Sequence, residues 1–367
     1  MRSEAEILRH ARESAGLSAQ EMADLVGVDQ THLEALEHGA DASTDILDRA
    51  ARAFGLSLGR FLAGEAEGAP ATVLFRALHE GPSFADFVET DATAILGEFL
   101  RCAADVAELE ALLGEGEDRL ARELGSLPSG ALKGGAGLYE QAERLALDVR
   151  QRLGFGLGPV PSMVELTRDR LGISLFWVGP DELDRDIDAA CARAPGPAIL
   201  INLVGGPQCW WRTRMTLAHE LCHLLFDLDR AAPAAPRRRF LFSPYRGESS
   251  RGARRARVHL PSELETAERR ANAFAAHFLA PPEGVKLAVG GLVPTSTDAV
   301  NAVCRRFQIG RETAVNQLTN TYGLSKEERH GLLSRPASDV LPREHPDAAP
   351  RPGLRAGRLH DLVARAL

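Results

Sequence analysis

Two histidines four residues apart, His219 and His223, with Glu220 beside the first, are the residues best suited to chemistry in this 367-residue chain. They stand in the run Thr216-Leu217-Ala218-His219-Glu220-Leu221-Cys222-His223-Leu224-Leu225-Phe226. On a helix, positions four apart lie about 40° from each other around the axis. Both imidazoles can therefore reach one zinc ion. Glu220 is then placed to take a proton from a water at that ion. The apolar, helix-forming flanks suit a helix buried in a core.

A third ligand is expected on a second helix, which starts near Ser262 and stops at Pro281-Pro282. Ala271, Phe274, Ala275, Phe278 and Leu279 follow the spacing of a core face. Glu268, three residues before Ala271, shares that face. A carboxylate aimed into a core is costly unless it is paired, protonated or bound to metal. Ligation gives Glu268 its reason to be there, and two histidines with one glutamate leave a fourth position open for water. Asn272, one turn on, is expected to hold a ligand histidine from behind. Two rivals are weaker. His277 lies nine residues after Glu268, about 180° around the helix. Cys222 points about 100° away from His223 and reads as a small core residue.

Residues from about 140 to 282 resemble the ImmA/IrrE family of zinc peptidases. The resemblance rests on Ile199-Leu200-Ile201-Asn202, on Arg212-Thr213-Arg214-Met215-Thr216-Leu217-Ala218-His219-Glu220-Leu221, and on Glu268, Ala271-Asn272, Phe274-Ala275-Ala276 and Leu279-Ala280-Pro281. It implies His219, His223 and Glu268 as ligands, Glu220 as general base, and a regulatory protein such as a repressor as substrate. The chain departs from the family at Cys222, where glycine is common. It also departs in the long spacing from His223 to Glu268.

That spacing holds an arginine-rich segment. Arg230 to Arg257 carries nine arginines against the single acid Glu248, with Pro233, Pro236 and Pro244 interleaved. It reads either as a solvated loop or as an element that recruits an acidic partner or nucleic acid, or covers the cleft. Tyr245 and His259 are candidate donors to a tetrahedral oxyanion.

The elements around these residues begin at the N-terminus. Residues 4–64 show five short helical patterns, with a glycine, Gly27, between the second and third. The string Gly16-Leu17-Ser18-Ala19-Gln20-Glu21-Met22-Ala23, with Val26-Gly27-Val28 and Leu36-Glu37, resembles the phage-repressor-like, or XRE, helix-turn-helix. Residues 1–66 hold six Arg and twelve Asp plus Glu, so 6 − 12 gives a net of −6. That balance weighs against phosphate neutralisation. Gln30, Thr31 and His32 are the candidate base-contacting residues within the DNA-binding stretch 18–38. Dimerisation or docking of a protein partner is the alternative use.

The expected organisation is an XRE-like domain over 1–66, a helical spacer over 67–136, and a metallopeptidase domain over 137–285. A helical extension over 286–334 and a partly disordered tail over 335–367 complete it. Within the peptidase part, strands are expected at Ile173–Val178, Ile187–Arg193 and Pro197–Asn202, and Trp210-Trp211 are expected to pack on the zinc helix. The tail is expected to be disordered to about Arg355, with an amphipathic helix over Leu354–Leu367 that docks on something. The fold class is thus mostly α and multi-domain, with a helix-turn-helix domain and an α+β zincin-like domain around a small sheet.

No run of eighteen apolar residues predicts a membrane span, and the acidic N-terminus is unlike a signal peptide. Five scattered cysteines suggest free thiols in a cytoplasmic protein. The expected function is a zinc endopeptidase that cleaves a repressor or other regulatory protein, with a homodimer as one expected assembly. The alternatives are a zinc-containing transcriptional regulator without protease activity and a phage-defence or toxin-antitoxin component.

Overall fold

Strand β1 (Ser174–Val178) pairs in parallel with β3 (Ala198–Asn202), which pairs antiparallel with β2 (Ile187–Ala192). A fourth strand, β4 (Phe240–Pro244), adds antiparallel to β2, so the sheet order is β1-β3-β2-β4. The computed structural model describes residues 3–14, 18–53, 58–64, 92–125, 137–179, 187–193, 196–203, 209–228, 240–244, 262–335, 340–348 and 358–366. The three expected strands form at their expected places. β4 is an addition: it lies inside the arginine-rich segment, where no strand was expected. The rest of the described fold is helical, as the sequence implies, and among the described residues no helix is long and apolar enough to cross a membrane.

At the N-terminus, five helices, α1 (Glu4–Ser14), α2 (Ala19–Val26), α3 (Gln30–Glu37), α4 (Thr44–Ala53) and α5 (Leu58–Leu62), enclose Leu8, Met22, Leu33, Leu36, Leu47 and Phe61. Asp29 caps α3 by accepting from the His32 N–H at 2.8 Å. Gly27, at φ +67°, makes the turn between α2 and α3. A side chain there would also stand 2.7 Å from the Arg49 guanidinium. Glu37 of α3 is buried and takes both arms of the Arg12 guanidinium, at 2.7 and 2.9 Å.

Helix α6 (Ala92–Leu112) joins this bundle to the sheet. Its Phe99 is fully buried and meets Phe176 of β1 edge-to-face at 5.4 Å. The alternation of β-strand side chains gives the sheet two apolar faces. Phe176, Val178, Ala190, Ala192 and Leu200 join the core shared with α6 and the N-terminal bundle. Leu175, Trp177, Cys191, Ile199 and Ile201 join the core on the opposite side. That second core holds the helices that carry the candidate chemistry.

Those helices are α7 (Arg119–Leu124), α8 (Leu138–Leu153), a short turn over Met163–Glu165 continued as a π-helical turn over Leu166–Arg170, α9 (Trp210–Cys222), and α10 (Ser262–Leu279). α7 lies within the expected helical spacer and buries Leu120 and Leu124. Helix α9 runs on as a π-helical turn over His223–Asp227. The buried Arg150 of α8 donates to the backbone carbonyls of Gly156, Gly158 and Phe278, tying α8 to the end of α10. Beyond Pro281, α11 (Pro282–Val289), α12 (Thr297–Phe307), α13 (Arg311–Tyr322) and α14 (Lys326–Ser334) pack on the same core.

The tail departs from expectation. Residues 340–348 are built into the fold rather than disordered. Asp347 is fully buried, ion-paired with the equally buried Arg214 of α9. It also accepts from the Met163 and Val164 N–H groups at 3.0 and 2.9 Å and from the Ser162 hydroxyl at 2.6 Å. His345 stacks on Trp210 at 3.9 Å, and the Trp210 indole N–H donates to the Pro342 carbonyl at 2.9 Å. Trp210 is thus buried at the start of the helix, under the tail. The last helix, α15 (Arg358–Ala366), docks as expected: it lies along α6 and buries Leu362.

Candidate metal centre

Helices α9 and α10 pack against each other, and each presents a chemical face at the contact. Positions 212, 216, 219 and 223 form one stripe of α9, which turns towards β2 and α10. His219, Glu220 and His223 are all buried, as is Glu268 on the facing turn of α10. The structure brings His219, His223 and Glu268 together as a possible cation site. The two Nε2 atoms are 2.9 Å apart; Glu268 Oε2 lies 3.3 Å from His219 Nε2, and Oε1 lies 3.1 Å from His223 Nε2. A tetrahedral zinc ion with bonds of about 2.0–2.1 Å needs donors roughly 3.3 Å apart.

The far sides of the imidazoles fix which atoms face inward. Asn272 donates its Nδ2–H to the Glu268 carbonyl at 2.9 Å, which orients its amide. Its Oδ1 therefore faces His219 Nδ1, at 3.2 Å. Asp227 Oδ2 lies 2.8 Å from His223 Nδ1. With both Nδ1 atoms donating to oxygens, both Nε2 lone pairs point at Glu268. Two nitrogen lone pairs and a carboxylate converging in a buried space repel unless a cation or proton sits among them. The donor set and its separations fit zinc.

The titration of these groups agrees. Burial acts to lower His223, but the Glu268 carboxylate and the charge of Glu220 outweigh it and leave the imidazole raised. Burial acts to raise Glu268, but the two histidines hold it well below the usual carboxylate range. Cys222, in contrast, is a buried thiol pushed up to about 12. It is neutral at pH 7 and takes no part in the cluster. His277 faces α13 instead, with Gln317 Nε2 3.4 Å from its Nδ1, and burial lowers it.

Asp227 and Arg270 were not foreseen from the sequence. Asp227 lies four residues beyond His223, at the end of the π-helical turn, and pairs through its other oxygen with buried Arg270 of α10. The i, i+4 spacing from His223 was the available signal. Asp188 was not foreseen either. It projects from a register irregularity in β2 towards α9, where Arg212 Nη2 lies at 3.1 Å and Thr216 Oγ1 at 3.4 Å. Burial raises its carboxyl, with Arg212 and His219 opposing. Asp188, Asn202, Arg212, Thr213 and Thr216 line a polar cleft on the histidine-bearing stripe of α9.

Tyr245 and His259 lie outside the described residues, as does the arginine-rich segment apart from β4. Gln30, Thr31 and His32 are exposed on the first turn of α3, more than one helix removed from the metal cluster. Gln30 Nε2 donates to Glu34 Oε1 at 2.7 Å, so one acid of the recognition helix is engaged by a neighbour and Glu37 by Arg12.

A helix-turn-helix family model matches residues 8–61, which contain α2 to α4 and most of α1 and α5. No curated protein and no solved structure matches the chain. The N-terminal region is therefore a helix-turn-helix unit.

Proposed function

We propose that this protein is a zinc-dependent endopeptidase of the ImmA/IrrE kind, joined to a helix-turn-helix unit and acting on a regulatory protein such as a repressor. The observation that carries this reading is the convergence of His219 Nε2, His223 Nε2 and a Glu268 carboxylate within bonding reach of one cation, beside buried Glu220. His219, His223 and Glu268 would hold the ion. Zinc there would acidify a water and polarise a peptide carbonyl.

The chain's own residues supply the rest. Glu220 accepts the proton of the attacking water and returns it to the amide nitrogen as the C–N bond breaks. Asn272 and Asp227 hold the two rings in the tautomer that presents Nε2. A site that only stabilised the fold would need four protein ligands and no buried glutamate next to the first histidine.

The test is zinc content and cleavage of a co-expressed neighbouring regulator by wild type and Glu220→Gln. The variant should keep one zinc per chain and lose cleavage by about 100-fold or more. Cleavage by the variant at the wild-type rate, or absence of zinc from the wild type, sinks the reading.

A second reading is a DNA-binding regulator in which the metal site serves stability or sensing. The helix-turn-helix match favours it. Wild type that binds an operator through Gln30, Thr31 and His32, yet cleaves nothing in the presence of zinc, would select this second reading.

A further inference from the structure

We propose that β4 is a built-in occupant of the sheet edge on which an extended peptide substrate must lie. The inference rests on the peptidase reading above and names the regulation of that same site.

Extended peptides bind sheets by adding a strand to an open edge, with backbone hydrogen bonds supplying much of the affinity. Only one edge of this sheet is near the candidate chemistry. β1 packs beside the π-helical turn 166–170, on the side away from β2. β2 crosses α9 and the turn that carries His223, and its Asp188 reaches Arg212 and Thr216, within electrostatic range of His219. Without β4, β2 would be the free edge strand, and a peptide laid along it would run past the metal cluster.

β4 fills that edge over its whole length, from Ala192 opposite Phe240 to Ile187 opposite Pro244. It comes from the segment that separates the second ligand from the third, so the strand is tethered to the site at both ends. Its hold is weakest at the Asp188 end, which reaches Arg212 and Thr216 of α9. The register breaks between Ile187 and Ala189, and the last paired residue is Pro244, which has no N–H to donate. A bulge and a proline at one end of a five-residue strand let pairing open from that end. A substrate strand can then replace β4 bond for bond, starting from the Asp188 end.

The probe is a fluorescent peptide copying residues 237–247, added to the full-length protein and followed by anisotropy. One variant has residues 237–247 replaced by Gly and Ser at the same length. The peptide should bind this variant at least tenfold more tightly than it binds wild type. A peptide carrying Leu241→Pro and Ser243→Pro, with its arginines unchanged, should lose that binding. Equal binding to wild type and variant, or equal binding of both peptides, overturns the proposal.

Hydrogen exchange in the wild type gives an independent reading if the replacement unfolds the chain. The β4 amides Leu241–Ser243 should exchange at least tenfold faster than the β3 amides Ile199–Ile201. Exchange of the two strands together means that β4 does not leave on its own, and overturns the proposal. Neither readout needs zinc or cleavage. A failed zinc assay with positive peptide binding therefore condemns the peptidase reading alone, and the reverse result condemns the edge-occupancy proposal alone.

Discussion

Each histidine of the metal cluster is held from behind by a single oxygen, and the two oxygens differ in charge. His219 meets the neutral amide of Asn272, whereas His223 meets the carboxylate of Asp227, itself paired with Arg270. Asp227→Asn leaves the ring a hydrogen-bond partner but removes the carboxylate charge behind it. Zinc affinity should fall about 10- to 100-fold, read by competition with a chromophoric chelator. Proton release gives a second prediction. His223 is raised in the metal-free protein, so its protonated form contributes stability below the unfolded value and loses it as pH rises through the folded value. Glu268 is lowered, so its ionised form contributes stability above the unfolded value and loses it as pH falls. Zinc must displace the His223 proton wherever that imidazole is charged. Calorimetry in buffers of different ionisation enthalpy should show more protons released per zinc at pH 6 than at pH 9.

The convergence of His219, His223 and Glu268 was legible in the sequence because helical spacing fixes the face on which residues four apart must lie. Asp227 was not legible because the apolar run ends at Phe226, and an acid just past it reads as an ordinary surface residue. Tyr245 and His259 stand in a segment with no periodicity to place them.

At the scale of elements, α9 is anchored at its start by the tail and not by its neighbours in sequence. Asp347 and Arg214 are fully buried and 133 positions apart. Asp347→Ala would leave the Arg214 charge uncompensated in the core and would free two backbone N–H groups at Met163 and Val164. The cost should be about 3–5 kcal/mol, seen as a lower denaturant midpoint. Pairing it with Arg214→Met should recover only part of that loss, because the backbone donors stay unpaired. This anchor was invisible in the sequence. Pro- and Arg-rich composition reads as disorder, and one carboxylate with a distant partner leaves no local pattern. β4 was hidden for a related reason: Phe240-Leu241-Phe242 is too short an apolar run to stand out among nine arginines. The amphipathic helix α15 was legible, because its period repeats over more than two turns.

At the scale of the whole molecule, Phe99 of α6 is the joint between the helix-turn-helix bundle and the sheet. Phe99→Ala should cost about 3–5 kcal/mol from the lost burial and the cavity left behind. Scanning calorimetry should then resolve an earlier transition for the N-terminal bundle, where the wild type melts with the two halves coupled. The mostly helical class and the helix-turn-helix were readable from punctuation: Gly27, the Asp29 cap and the recurring glycines between short helices. Their joining through α6 was not, since α6 shows an apolar stripe without saying what covers it.

β3 carries a consequence for how the two halves inherit change. Leu200 belongs to the core shared with the helix-turn-helix, whereas its neighbours Ile199 and Ile201 belong to the core of the metal helices. Adjacent codons in this strand therefore answer to different masters. A substitution at Leu200 should register in the N-terminal half and one at Ile201 in the half that holds His219 and Glu268, while a slip of one residue would exchange the two at once. The same alternation runs through β1 and β2, so the sheet as a whole is the seam between the two cores.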